Sequence, residues 1–65
     1  MPIVQISVVA GRPAEKINNL IREVTATVAE TLDAPVDTIK VLVTEIAPTH
    51  WGSGGQTIDE KRRNS

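Results

Sequence analysis

Apolar and polar residues alternate at the start of the chain in a pattern typical of a strand. Within residues 2–9, Val4, Ile6 and Val8 fall on one face of an extended segment. Five of these eight residues are Val or Ile, the β-branched types that favour a pleated surface. Gly11 then ends the predicted strand.

The pattern changes to a helical period after Pro13, a residue that suits the first turn of a helix. Apolar side chains recur as on one face of a helix, at Ile17, Leu20, Ile21, Val24, Val28 and Leu32. Pro35 disfavours helical geometry at Ala34, so the helix is predicted to end near Asp33.

A second alternating segment, residues 39–46, predicts a second strand with Ile39, Val41 and Val43 on one face. Strand, helix and strand in this order indicate an α/β fold, a β-α-β unit with parallel strands. Both strands carry apolar residues on both faces, as in a sheet covered on both sides. One helix covers only one face, so we expect other copies of the chain to extend the sheet and cover it.

The chain length supports self-association. Its 65 residues form a single predicted domain, 1–65, with residues 59–65 as a flexible tail. Domains this small usually need disulfides, a metal or oligomerisation to fold stably. With no cysteine and one histidine, His50, disulfides and zinc sites built from thiolates or several histidines are excluded. We predict no metal and no cofactor.

The charge distribution narrows the range of partners. Seven basic and eight acidic residues give a net charge of −1, and the only basic cluster is 61–63, which we interpret as a solvated tail. No apolar run approaches the roughly 20 residues of a membrane span, and no secretory leader is evident. We therefore expect a cytoplasmic protein that binds neither nucleic acid nor membrane.

The segment 49–55 places His50 and Trp51, the only aromatic residue, beside Gly52, Gly54 and Gly55. It is either a flexible hairpin that brings an aromatic wall over a site or an exposed turn whose tryptophan fills an oligomer contact. No Lys-Ser/Thr pair follows the glycines, so it is not a phosphate-binding loop. We expect His50 at the surface or in an interface.

Pro2 offers an unusual base. Initiator methionine is normally removed before a small residue such as proline, and loss of Met1 would leave a secondary amine at Pro2. Free α-amino groups have pKa values of about 7.7–8.0, and burial beside Trp51 or nearby cations would favour the neutral form, a general base. The alternative is that Pro2 merely begins an edge strand, where its missing N–H costs nothing.

Several motifs together resemble the 4-oxalocrotonate (2-hydroxymuconate) tautomerase family over nearly the whole chain, residues 2–58. They are Pro2-Ile3-Val4-Gln5-Ile6, Gly11-Arg12, Leu20-Ile21-Arg22-Glu23-Val24, Leu32-Asp33-Ala34-Pro35, Thr44-Glu45-Ile46, His50-Trp51-Gly52 and Gly54-Gly55. The resemblance implies a β-α-β subunit with a C-terminal hairpin. It also implies a four-stranded dimer assembled as a trimer of dimers, a homohexamer.

The resemblance also implies roles for individual residues. Pro2 matches the amino-terminal proline that acts as general base, and Arg12 matches the arginine that binds the distal carboxylate of the substrate. The backbone at Val9 matches a position that helps to hold the substrate oxygen. Trp51 occupies the aromatic position, commonly phenylalanine, of the hydrophobic wall.

Two positions depart from the family pattern. Lys40 stands where the family has a second arginine. It keeps the positive charge but lacks the planar guanidinium group that binds a carboxylate through two hydrogen bonds. It is either a site cation that polarises the substrate carbonyl or a strand-edge charge that opposes aggregation. The segment 51–54 lacks the glutamate with which dehalogenase relatives activate water, so hydrolytic dehalogenation is not expected.

The function implied is that of an isomerase that interconverts enol and keto forms of a small unsaturated 2-oxo acid. Conversion of 2-hydroxymuconate to 2-oxo-3-hexenedioate in aromatic hydrocarbon catabolism is the prototype. Two alternatives stay open. The chain could be a non-catalytic subunit of a hetero-oligomer with a related chain, or an isomerase of a biosynthetic intermediate.

Overall fold

Two parallel strands and one long helix form the body of the subunit. The computed structural model describes residues 1–64 and confirms the predicted order, with β1 at Ile3–Val9, α1 at Ala14–Leu32 and β2 at Lys40–Ile46. A short hairpin and a second helix follow, with β3 at Gly52–Ser53, β4 at Gln56–Thr57 and α2 at Ile58–Arg63.

The two long strands are paired along their whole length. Ile3 lies opposite Lys40 at one end and Val9 lies opposite Ile46 at the other, in parallel register. β2 begins one residue later than predicted, because the N–H of Ile39 donates to the carbonyl of Val36 at 3.2 Å and closes a 3-10 turn.

The long helix ends close to the predicted position. Its last residue is Leu32, and Asp33 adopts a left-handed conformation with φ of 56°. The carbonyl of Ala29 accepts from the N–H of Asp33 and from the N–H of Ala34, the latter at 3.0 Å, which closes the helix end. This turn reverses the chain and returns it to the sheet beside β1.

One face of the sheet is covered and the other is not. Along both strands half-buried residues alternate with exposed ones, and the uncovered face carries Ile3, exposed by 62%, and Leu42, exposed by 51%. Among residues 1–64 only Ile39 is buried. The subunit therefore leaves much of its apolar sheet surface in contact with solvent.

The dimensions of the isolated subunit agree with this incomplete packing. Its radius of gyration is 15.1 Å, against about 11 Å for a typical folded domain of this length. Its accessible surface is 4869 Å², against roughly 4,000 Å² for a folded monomer of this mass. The bare sheet face agrees with the prediction from the sequence that one helix covers only one face of the sheet.

The carboxyl-terminal segment folds back on itself. Gly54 and Gly55, with φ of 64° and 87°, form the tight turn of the predicted hairpin, a type that requires positive φ at both central positions. Helix α2 follows directly and begins one residue before the region predicted as a flexible tail, and the sequence did not predict this helix. Neither of the two described helices is long and apolar enough to cross a membrane. The last position of the predicted tail, Ser65, lies outside the described residues.

Candidate active site

Pro2 and Lys40 lie side by side at the amino-terminal end of the sheet. The main-chain N–H of Lys40 donates to the carbonyl of Pro2 at 3.0 Å, the first hydrogen bond between the two strands. Pro2 is half-buried and Lys40 is exposed. The parallel pairing of β1 and β2 is the cause, because it brings the first residues of both strands to the same edge.

The ammonium group of Lys40 has a hydrogen-bond partner nearby. Its Nζ lies 3.4 Å from the carbonyl oxygen of Asp37, in the 3-10 turn that precedes β2. This contact keeps the Lys40 side chain at the end of the sheet where Pro2 lies. A cation and the candidate base thus share one edge of the subunit.

Arg12 and Val9 form a second pair at the opposite end of the sheet. Arg12 follows β1 in an exposed turn, where its Nη1 donates to the carbonyl of Val9 at 2.9 Å. Gly11, between them, has φ of 137°, a conformation that side-chain-bearing residues rarely adopt. The turn therefore holds the guanidinium group against the carboxyl end of β1.

The two pairs are far apart within one subunit. Strand β1 contains seven residues, and a rise of about 3.3 Å per residue separates its ends by roughly 20 Å. A single subunit therefore brings Pro2 together with Lys40, and Arg12 together with Val9, but it does not unite the two pairs.

Trp51 follows the carboxyl end of β2. It is half-buried and comes directly after the 3-10 turn Pro48–His50. Its carbonyl accepts a hydrogen bond from the N–H of Ile58 at 2.9 Å, which ties it to the start of α2. His50 is exposed, as predicted from the sequence.

The start of α2 contains a feature that the sequence analysis missed. Thr57 and Glu60 form a capping box: the Thr57 hydroxyl accepts from the Glu60 N–H at 3.1 Å, and Glu60 Oε1 accepts from the Thr57 N–H at 3.0 Å. Hydrogen bonds from the Thr57 backbone and then from its hydroxyl lower the pKa of Glu60. The Thr-x-x-Glu spacing in residues 57–60 was the available indication.

Among residues 1–64, no group of three or more His, Cys, Asp or Glu side chains could hold a metal ion. A shallow depression of about 220 Å³ lies along α1 and contains none of the predicted site residues; it is lined by Glu23, Val24, Thr27 and Val28.

Comparison with known proteins identifies the family. Residues 2–61 match the model of the family described as tautomerase enzyme. A 2-hydroxymuconate tautomerase from Pseudomonas putida is 43% identical over 63 residues, which cover 97% of this chain and 100% of that protein.

Solved structures agree with the sequence comparisons. TomN, a 4-oxalocrotonate tautomerase homologue in the tomaymycin biosynthetic pathway, superimposes with a TM-score of 0.92 and 32% identity, covering 95% of each chain. A heterohexamer 4-oxalocrotonate tautomerase from Chloroflexus aurantiacus gives a TM-score of 0.87 and 32% identity, covering 92% of this chain and 97% of that one. Because family model, relatives and structures agree over almost the whole length, this chain belongs to the tautomerase family and is an isomerase.

Proposed function

We propose that this tautomerase moves a proton between the enol oxygen and a carbon of a small unsaturated 2-oxo acid. The substrate class is that of 2-hydroxymuconate, which would be converted to 2-oxo-3-hexenedioate. The name of the 43% identical relative supports this choice. The single observation that carries the proposal is the parallel pairing of β1 and β2, whose main-chain bond from Lys40 to Pro2 brings both residues to one edge of the sheet.

Pro2 acts as the base once Met1 has been removed. A peptide nitrogen is not basic, whereas the secondary amine of an amino-terminal proline can accept a proton. The neutral amine takes the proton of the enol hydroxyl group and returns it to a carbon further along the conjugated chain. One group thus serves first as base and then as acid.

Lys40 assists Pro2 by its charge. A cation close to an amine disfavours the protonated form of that amine. The same ammonium group stabilises the negative charge that develops on the substrate oxygen during proton transfer. The ammonium group is a point charge, whereas a guanidinium group is planar and forms two parallel hydrogen bonds. Lys40 therefore orients the substrate carboxylate less strictly than an arginine would.

Arg12 binds the distal carboxylate from a different subunit. The roughly 20 Å between the ends of β1 is far longer than a six-carbon diacid, so Pro2 and Arg12 of one subunit cannot hold the same substrate molecule. A guanidinium group binds a carboxylate through two parallel hydrogen bonds. The backbone at Val9 helps to hold the substrate oxygen there, and Trp51 forms the apolar wall.

The site is therefore shared between copies of the chain. We infer that two subunits extend the sheet into a four-stranded dimer and that three dimers form a homohexamer. The exposed Ile3 and Leu42 side chains and the radius of gyration of 15.1 Å support association through the bare sheet face. The cytoplasmic location and the place in aromatic hydrocarbon catabolism remain predictions from the sequence.

An activity assay with verified amino termini tests the proposal. Protein whose mass shows the loss of Met1 should ketonise 2-hydroxymuconate, followed by the loss of its ultraviolet absorbance. Pro2→Ala, processed to the same degree, should lose most of this activity. Equal rates for both proteins and for buffer alone would reject the catalytic role.

A second candidate is favoured by the lysine at position 40. The Chloroflexus aurantiacus protein is a heterohexamer, and a chain that lacks one arginine could be the less active partner of a related chain. Retained Met1, or a second related chain in the native particle, would support this alternative. TomN belongs to a biosynthetic pathway, so enols of biosynthetic intermediates belong in the same substrate screen.

A further inference from the structure

The carboxyl-terminal helix is joined to Trp51 by a continuous set of hydrogen bonds. Thr57 pairs with Gly52, the residue after Trp51, across the β3–β4 hairpin. The next residue, Ile58, donates its N–H to the Trp51 carbonyl at 2.9 Å. The backbone around Trp51 is therefore fixed from the side of β4 and α2.

The direction in which the chain leaves β4 depends on Glu60. Its carboxylate accepts from the N–H of Thr57 at 3.0 Å and from the Thr57 hydroxyl at 3.1 Å. The same hydroxyl accepts from the N–H of Glu60 at 3.1 Å. These bonds fix the first turn of α2 and, with it, the direction of the Ile58 N–H.

Helix α2 also contacts the residues that precede Trp51. It packs against the 3-10 turn Pro48–His50. Trp51 thus lies between two segments, the turn before it and the hairpin after it, and both are held by α2. The neighbouring Gly52 has no side chain that could restrain the indole.

From these contacts we infer that Glu60 is a positioning residue that holds the Trp51 indole in place through its capping box with Thr57. The inference rests on the proposed role of Trp51 as the wall of the active site. Glu60 does not touch the substrate. Its effect on the reaction passes through the Thr57 cap, the Ile58 N–H and the Trp51 backbone.

The helix supplies matched variants for a test. Glu60→Ala removes the side-chain half of the capping box and keeps the bond from the N–H of residue 60 to the Thr57 hydroxyl. Glu60→Gln keeps a side chain that can accept from Thr57. Arg63→Ala is the control within α2, because it removes the exposed ion pair between Arg63 and Asp59, with an N–O distance of 3.2 Å. Exposed pairs of this kind contribute little, and this one does not touch the Thr57 cap.

The measurements are the KM and kcat for 2-hydroxymuconate and the fluorescence of Trp51, the only tryptophan in the chain. Glu60→Ala should raise KM about twofold to tenfold, the range expected for loss of an intramolecular hydrogen bond, with kcat changed less. Its Trp51 emission should shift to longer wavelength. Glu60→Gln and Arg63→Ala should match the wild type in both readouts.

Unchanged KM and emission in Glu60→Ala would overturn the inference. A change in the native mass of Glu60→Ala would also overturn it, because Glu60 would then support the assembly as a whole. Pro2→Ala, measured in parallel, tests the proposed function separately. If Pro2→Ala stays active, the catalytic proposal fails, while the emission spectra still test whether Glu60 positions Trp51.

Discussion

The main chain of Lys40 is hydrogen-bonded to the main chain of Pro2, with 3.0 Å between the Lys40 nitrogen and the Pro2 oxygen. The candidate base and the candidate site cation are therefore neighbours on paired strands. A change of side chain at position 40 keeps the main-chain donor, so this backbone bond is retained in the variants.

Substitution of Lys40 should separate the contribution of its charge from that of its shape. We expect Lys40→Met to lower kcat/KM roughly 10- to 100-fold, the range for loss of a charge-assisted hydrogen bond. Lys40→Arg should retain or exceed the wild-type kcat/KM, because a planar guanidinium group can form two parallel hydrogen bonds with a carboxylate. Steady-state kinetics with 2-hydroxymuconate provide the measurement.

Lys16→Met is the control for Lys40→Met, since Lys16 is an exposed lysine on α1. It should leave kcat/KM unchanged. If Lys40→Met is as active as Lys16→Met, position 40 is a solvated strand-edge charge and has no role in the site.

Mixed oligomers should reveal a site shared between subunits. Pro2→Ala and Arg12→Ala should each be nearly inactive alone, because each variant lacks one of the two residues in every site. After joint unfolding and refolding, some sites combine an intact Pro2 from one subunit with an intact Arg12 from another. Activity should therefore return in the mixture.

Each variant, refolded alone at the same total concentration, serves as the control for the mixture. A mixture no more active than the refolded single variants, despite native mass spectra that show mixed particles, would contradict the shared site.

Much of this arrangement could be predicted from the sequence. The alternation in residues 2–9 and 39–46 and the apolar stripe of α1 predict two parallel strands, which bring Pro2 and Lys40 to one edge. Helix α2 was missed because its six residues carry only Ile58 as an apolar side chain. The position of Trp51 depends on contacts between α2 and the hairpin, and no local pattern in the sequence specifies those contacts.

The uncovered sheet face should control assembly and activity together. Leu42 is 51% exposed in the isolated subunit, and a carboxylate at this position would be costly to bury in an interface. We expect Leu42→Glu to reduce the native mass and to abolish tautomerase activity. Native mass spectrometry and the enol assay measure both effects.

Thr31→Glu adds the same charge to an exposed position on α1 and should leave mass and activity unchanged. A wild-type protein that is a stable monomer would refute the assembly, whatever the behaviour of the two variants.

Acid should loosen the segment around Trp51 through Glu60. Hydrogen bonds from Thr57 lower the pKa of Glu60 below its usual value of 4.5, so the folded state favours the carboxylate. This contribution is fully present above about pH 4.5 and is lost as the pH falls through the lowered pKa. Trp51 emission should therefore shift as the pH is lowered from 7 toward 3.

Glu60→Gln provides the comparison, because its amide does not titrate over this range. All other carboxylates are the same in both proteins, so the difference between the two curves isolates Glu60. We expect the shift of the wild-type curve to be larger than that of Glu60→Gln. Superimposable curves would show that ionisation of Glu60 has no effect on the environment of Trp51.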